Sequence, residues 1–358
     1  MAKQTVLGAE TLQRDAAALF SFVDSIYTHC HKEDDESPVY PESSLRFFGF
    51  IRELSDATKA YLNAFASNAP STPRLYQAYR QKLDTIRASW LEFHFLIKSA
   101  VDADTLSFPY TLVQALTERL NTIPKFKDIR FAIFHFDELN YLEVPVSAIK
   151  TTTGRLRGIV PECPEFPRDL GLIGIPYSQS SSLYLNLLIA HEMGHFVFQE
   201  LNLKDELLTD MGRNLEQVLG SELQNISSDN LDWSKDRLAS WSEELFCDLF
   251  AVWLIGPCYS LASVELFGLT TILDPSQAIG YSATAGSVAF FRSHPADLFR
   301  VKRQVSFLEE LEWWNEIDSI NSHYIDVLRS AKAVDDGDFR YQTTEQDYAH
   351  ETLQAFLV

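Results

Sequence analysis

The sequence predicts a mainly helical protein with one small β-sheet, an α+β fold. Three observations carry that expectation. Apolar residues recur at helical spacing through most of the first 125 residues, the run Ile129–Phe136 alternates and is rich in β-branched and aromatic residues, and long helical segments return after residue 180. The first helix, expected over 9–30, carries Leu12, Leu19, Phe22, Val23 and Ile26 at helical spacing. An acidic, proline-containing stretch, 32–42, reads as a loop. Ser43 or Ser44 is placed to cap a second helix running to about residue 67. Asn68–Pro73 is a turn, a third helix follows from Arg74 to about Val101, and a fourth is expected between Pro109 and Ile123, with Pro124 as its breaker.

The character then changes. Ile129–Phe136 (IRFAIFHF) reads as a strand and Tyr141–Val146 as its pairing partner. Residues 154–169, with three prolines and two glycines, read as irregular. Leu170–Ile175 (LGLIGI) is a short strand stopped by Pro176, and Ser180, Ser181 and Ser182 offer caps for a buried helix within Leu183–Leu201. Further helices are expected over 204–224 and 236–255, separated by a polar loop, Ser227–Ser234. Residues 270–290 are small and polar, suited to a loop lining a cleft. The chain is expected to be helical again from Pro295 to about 333, then to turn at Asp335–Asp338 and close on a helix over 344–356. The regions so defined are a helical N-terminal part (1–125), a central core (126–300) and a helical C-terminal part packing on that core (301–358).

A chain of 358 residues with a formal net charge of −20 can bury a sizeable core, and its charge argues against binding nucleic acid or an anionic membrane. Four cysteines, Cys30, Cys163, Cys247 and Cys258, form no C-x-x-C pair and read as reduced thiols. The N-terminus lacks the continuous apolar run of a signal peptide. The most apolar stretch, Leu245–Val264, is interrupted by Asp248 and by Gly256-Pro257, so no membrane insertion is expected. A cytoplasmic protein is the expectation.

The chemistry centres on His191-Glu192-Met193-Gly194-His195, an H-E-x-x-H in an otherwise uncharged segment. Histidines four apart share one helical face and can reach a single cation, while Glu192 stands beside it as a base for a bound water. A catalytic zinc takes three protein ligands and keeps a position open. The extended form with a third histidine is absent, because Phe198 and Leu201 occupy its positions. Trp241–Trp253 supplies the other candidates. Glu244 and Asp248 lie one turn apart on an apolar helix and need a cation or a basic partner. Glu244 would bind zinc and Asp248 would accept the other ring N–H of a ligating histidine, with Glu243 the competing ligand. A salt-bridged carboxylate pair is the plain alternative.

The order H-E-M-G-H then E-L-F-C-D-L-F-A resembles the gluzincin class of zinc metallopeptidases. The separation of 49 positions between His195 and Glu244, and Ser293-His294-Pro295 followed by Arg300, look most like the HtpX-like and CAAX-protease group. The likeness covers about residues 165–300. It departs from that group in lacking membrane-spanning segments. The resemblance implies a zincin-like core with helical extensions at both ends. It also implies one zinc per chain held by His191, His195 and Glu244, with Glu192 as general base and a peptide or protein substrate that adds as a strand beside Leu170–Ile175. His294 would stabilise the oxyanion with help from Tyr281 or Arg300, unless His294-Pro295 simply opens a helix. Two other functions share these residues: a zinc-bearing interaction or regulatory protein with little turnover, and a hydrolase acting on a non-peptide amide or ester.

Overall fold

The computed structural model describes residues 2–30, 42–67, 73–102, 107–136, 142–143, 146–176, 182, 184–206, 228–268, 295, 297–320, 322–334, 340–342 and 347–349. The protein is mainly helical with a small sheet, and its contacts divide it into two compact units, Met1–Ser181 and Ser182–Val358. That division falls inside the 126–300 segment. Among the described residues no helix is long and apolar enough to cross a membrane.

The first unit begins with α1 (Ala2–Cys30), α2 (Glu42–Ser67), α3 (Pro73–Asp102) and α4 (Ser107–Leu120). Their bounds follow the expected helices closely, apart from an extra N-terminal stretch on α1 and the start of α2 at Glu42, which puts Ser43 and Ser44 inside the helix instead of at its cap. Leu12, Leu19, Val23 and Ile26 are buried, and α1 packs on α2 and α3 through that stripe. A 3₁₀ turn at Pro124–Phe126 then leads into β1 (Arg130–Phe136). Phe47 of α2 meets Phe134 of β1 edge to face at 5.1 Å, and Trp90 of α3 is fully buried with its indole N–H on Thr58 Oγ1 at 3.3 Å. The first contact fastens α2 to the sheet and the second joins α3 to α2.

Two expectations are corrected in this unit. The segment Leu142–Glu143 (β2) pairs antiparallel with β3 (Leu170–Pro176), and β3 pairs parallel with β1, so the order is β1-β3-β2. β3 is apolar and buried along its whole length, which suits a central strand rather than an edge. The edge expected to receive a substrate strand is therefore taken by β1 along its length on one side and by β2 at Ile173 and Gly174 on the other. Secondly, α5 (Val146–Arg157) occupies the start of the stretch read as irregular. Parallel neighbours need a crossover, and α5 supplies it, burying Ile149 and Leu156 and packing on α3. Its threonines and Gly154 make helix propensity low, and tertiary packing overrides it.

The second unit contains α6 (Ile189–Glu200), α7 (Ser228–Ile255), α8 (Pro257–Phe267), α9 (Asp297–Glu310), α10 (Trp314–Ile317) and α11 (His323–Ala333). Helix α7 starts at Ser228, within the expected polar loop, because no glycine or proline interrupts 228–255. The expected final helix is also corrected: Asp347–Ala349 (β5) pairs antiparallel with Arg340–Gln342 (β4), Tyr341 opposite Tyr348. The expected helix over 204–224 and the loop over 270–290 lie largely outside the described residues.

α7 and α8 are separated by Gly256 alone, at φ +66° and ψ −148°, with Pro257 opening α8. A Cβ at Gly256 would sit 1.5 Å from the Trp313 ring, so both the backbone angle and the space demand glycine. Gly256→Ala should lower stability by at least about 1–3 kcal/mol from the backbone conformation alone. Urea unfolding followed by circular dichroism would read this as a lowered midpoint with an unchanged slope.

Candidate metal centre

Ser182 Oγ accepts the Leu185 N–H at 3.2 Å at the start of a 3₁₀ turn, Leu185–Leu188, that runs straight into α6. The helix buries nine of its twelve residues, His191 and Glu192 among them. Its partner is α7, and Gly194 sets how closely they meet. A Cβ there would lie 2.9 Å from Cys247 Cα and 3.2 Å from its Sγ, closer than atoms pack. Glycine thus lets the two backbones approach until short acidic side chains on α7 reach the imidazoles on α6.

The imidazoles stand edge to face with ring centres 4.9 Å apart. Each ring has one nitrogen held by a carboxylate and the other turned toward Glu244. His191 Nδ1 lies 3.0 Å from Asp248 Oδ1, and His195 Nδ1 lies 2.9 Å from Glu243 Oε1. Glu244 reaches both remaining nitrogens, Oε2 at 3.4 Å from His191 Nε2 and Oε1 at 3.6 Å from His195 Nε2. Cys247 joins the same cluster, its Sγ and one nitrogen of each histidine lying within 4.8 Å of one another. The group His191, His195 and Cys247 can hold a metal ion.

Behind this layer lies a second one. Arg300 of α9 donates to Asp248 through Nε at 2.7 Å and Nη2 at 2.8 Å, and Nη2 also lies 3.2 Å from Glu244 Oε2. Tyr259 of α8 donates its hydroxyl to Asp248 Oδ1, and its oxygen is 3.1 Å from His191 Nδ1. Asp248 is fully buried, and a carboxylate there stays ionised only because this paired donor set offsets its desolvation.

The protonation states follow from these contacts. Burial favours neutral His191, but hydrogen bonds to Asp248 and Glu244 outweigh it and push the imidazole up to about 9. Burial likewise favours a protonated Glu244, yet the His191 hydrogen bond and the nearby positive charges bring it down to about 2. Asp248 is held well below the usual carboxylate range, its burial overcome by the charge and hydrogen bonds of Arg300. Burial, with four carboxylates nearby, raises the Cys247 thiol well above its ordinary value. These contacts favour a protonated His191, ionised Glu244 and Asp248, and a neutral Cys247 thiol.

Several residues singled out in the sequence thus come together: His191, His195, Glu244, Asp248 and Arg300, with Glu192 buried beside His191. Arg300, expected near an oxyanion, has its guanidinium engaged by Asp248 and Glu244. His294 and Tyr281 lie outside the described residues. Three contributors escaped sequence reasoning. The sequence offers Glu243 only as a rival ligand and Cys247 only as a reduced thiol, and gives Tyr259 no role. Cys247 follows Glu244 by three positions on one helical face, a spacing that could have been read. Tyr259 lies past the Gly256-Pro257 break, and nothing in the sequence reveals that α8 turns back toward Asp248.

Breaking the buried pair leaves a desolvated charge. Arg300→Met and Asp248→Leu should each destabilise the protein by about 3–5 kcal/mol, with the double variant losing less than the two together. Equilibrium urea unfolding of the four proteins would measure this. Compared with known proteins, the chain matches no protein-family model, no curated protein and no solved structure.

Proposed function

We propose that the protein is a zinc-dependent metallopeptidase of the gluzincin type, with a zincin-like core. One zinc ion per chain is held by His191, His195 and Glu244. The observation that carries the reading is the disposition of ring nitrogens, both Nδ1 atoms on carboxylates and both Nε2 atoms turned to one carboxylate at 3.4 and 3.6 Å. Two N or O donors of one tetrahedral zinc, at bond lengths of about 2.0–2.2 Å, stand about 3.3–3.6 Å apart. The donor set is also of the open catalytic type, two imidazoles and a carboxylate. The free thiols Cys163, Cys247 and Cys258 fit a reducing, cytoplasmic setting.

Bound zinc would supply a Lewis acid that polarises a peptide carbonyl and makes water acidic near neutral pH. The chain's own residues supply the proton transfer. Hydrolysis of an amide requires water to lose a proton as its oxygen bonds to the carbonyl carbon, and the amine nitrogen to gain one as the C–N bond breaks. Glu192 carries that one proton from the first event to the second. Asp248 and Arg300 keep His191 oriented while this occurs.

Glu192→Gln keeps size and polarity but removes the base. Cleavage of casein or a peptide library should fall about 10²–10⁴-fold, with zinc content unchanged. Full retained hydrolysis would remove Glu192 from its role and the scheme with it. The same assay with simple amides and esters would show whether a non-peptide substrate is preferred.

Cys247 supports a second reading. His191, His195 and Cys247 are placed to share an ion, and with Glu244, which faces both histidines, as a fourth donor they would leave no position for water, as in structural sites of a regulatory or interaction protein. Cobalt substitution separates the two. The peptidase reading expects no sulfur-to-cobalt charge-transfer band, whereas an intense band absent from Cys247→Ala would establish the enclosed site.

A further inference from the structure

We propose that Glu243 is a positioning residue for His195, matching at one imidazole what Asp248 does at the other. The inference rests on the metal-site reading above and adds a residue to it. Glu243 and Glu244 are sequence neighbours on α7, so their side chains leave the helix about 100° apart and cannot serve the same point. They address opposite nitrogens of one ring: Glu243 Oε1 lies 2.9 Å from His195 Nδ1, and Glu244 Oε1 lies 3.6 Å from His195 Nε2. A carboxylate at Nδ1 fixes the proton there, fixes the plane of the ring and leaves the Nε2 lone pair for an ion. His195 needs that help more than its position suggests. α6 ends five residues later at Glu200, so the ring stands near the helix end, whereas His191 has Tyr259 beside it.

The two carboxylates are compensated differently. Asp248 is fully buried and shares its charge with Arg300, so its removal strands a cation. The Glu243 side chain keeps 23% of its surface in water, against none for Asp248, so less desolvation rides on its partner. Substitution at 243 can therefore test orientation without unfolding the protein.

The experiment compares wild type, Glu243→Gln and Glu243→Ala by zinc affinity, from competition with a chromogenic chelator. A second measurement is the His195 Nδ1–H resonance of the zinc-loaded protein labelled with ¹⁵N-histidine. Glu243→Ala should weaken zinc binding about 10–100-fold and move the His195 resonance or lose it to solvent exchange, while leaving that of His191 in place. Glu243→Gln keeps an acceptor oxygen without the charge and should fall between. Zinc affinities within twofold of one another, with an unmoved His195 resonance, would overturn the proposal. Neither measurement requires turnover. If zinc binds and weakens in Glu243→Ala but no peptide is cleaved, the peptidase reading fails and this one stands. If wild type binds no zinc, both fall.

Discussion

Asp248 has no exposure to solvent, yet the arrangement around it requires an anion, because a neutral acid would not pair with Arg300 as an ion. The bidentate Arg300 contact and the Tyr259 hydroxyl meet that demand, supplying three donors to two oxygens. From there the constraint spreads outward. His191 is oriented by Asp248, Glu244 is drawn to the same guanidinium at 3.2 Å, and Glu244 in turn faces both Nε2 atoms. A single buried ion pair thus ties three helices, α7, α8 and α9, to the imidazoles of a fourth.

The centre also depends on the absence of a side chain. Aspartate and glutamate are short, and they reach across a helix interface only where the backbones come close. Gly194 permits that approach, and Cys247, with its modest volume, fills the space opposite. Helix separation and ligand spacing are therefore one quantity. The α6–α7 pair is spaced by backbone contact instead of by flexible side chains, as a preorganised group of donors requires.

Much of this was legible in the sequence. Helical periodicity marked α1 to α4, alternation marked β1, and a short apolar run stopped by Pro176 marked β3. The pairs His191/His195 and Glu244/Asp248 announced themselves through spacing on one helical face. What escaped notice was nonlocal. The order β1-β3-β2 depends on which strand is apolar on both faces, and Leu142–Glu143 carries too little pattern to show it chooses β3. Helix α5 forms against its own propensity because α3 and the crossover hold it. The β4–β5 pair replaced an expected helix because antiparallel pairing, not local preference, decides segments of three residues. In the centre itself, the spacing rule named Glu243 and Glu244 together but could not assign them to different nitrogens. That choice depends on how α7 is rotated against α6.

The placement of Arg300 bears on how the centre comes into being. It lies 52 residues beyond Asp248 and 105 beyond His195, and Trp313, which closes over Gly256, lies further still. During synthesis the H-E-x-x-H helix and the acidic helix therefore leave the ribosome well before the residue that stabilises their deepest charge. Until it docks, burying Asp248 carries an uncompensated desolvation cost, which opposes closing the α6–α7 interface around it. The long loop that must close before Arg300 arrives makes this a late, nonlocal event in folding. A centre of this design matures only when most of the chain is in hand, so an immature chain carries the donors without the geometry.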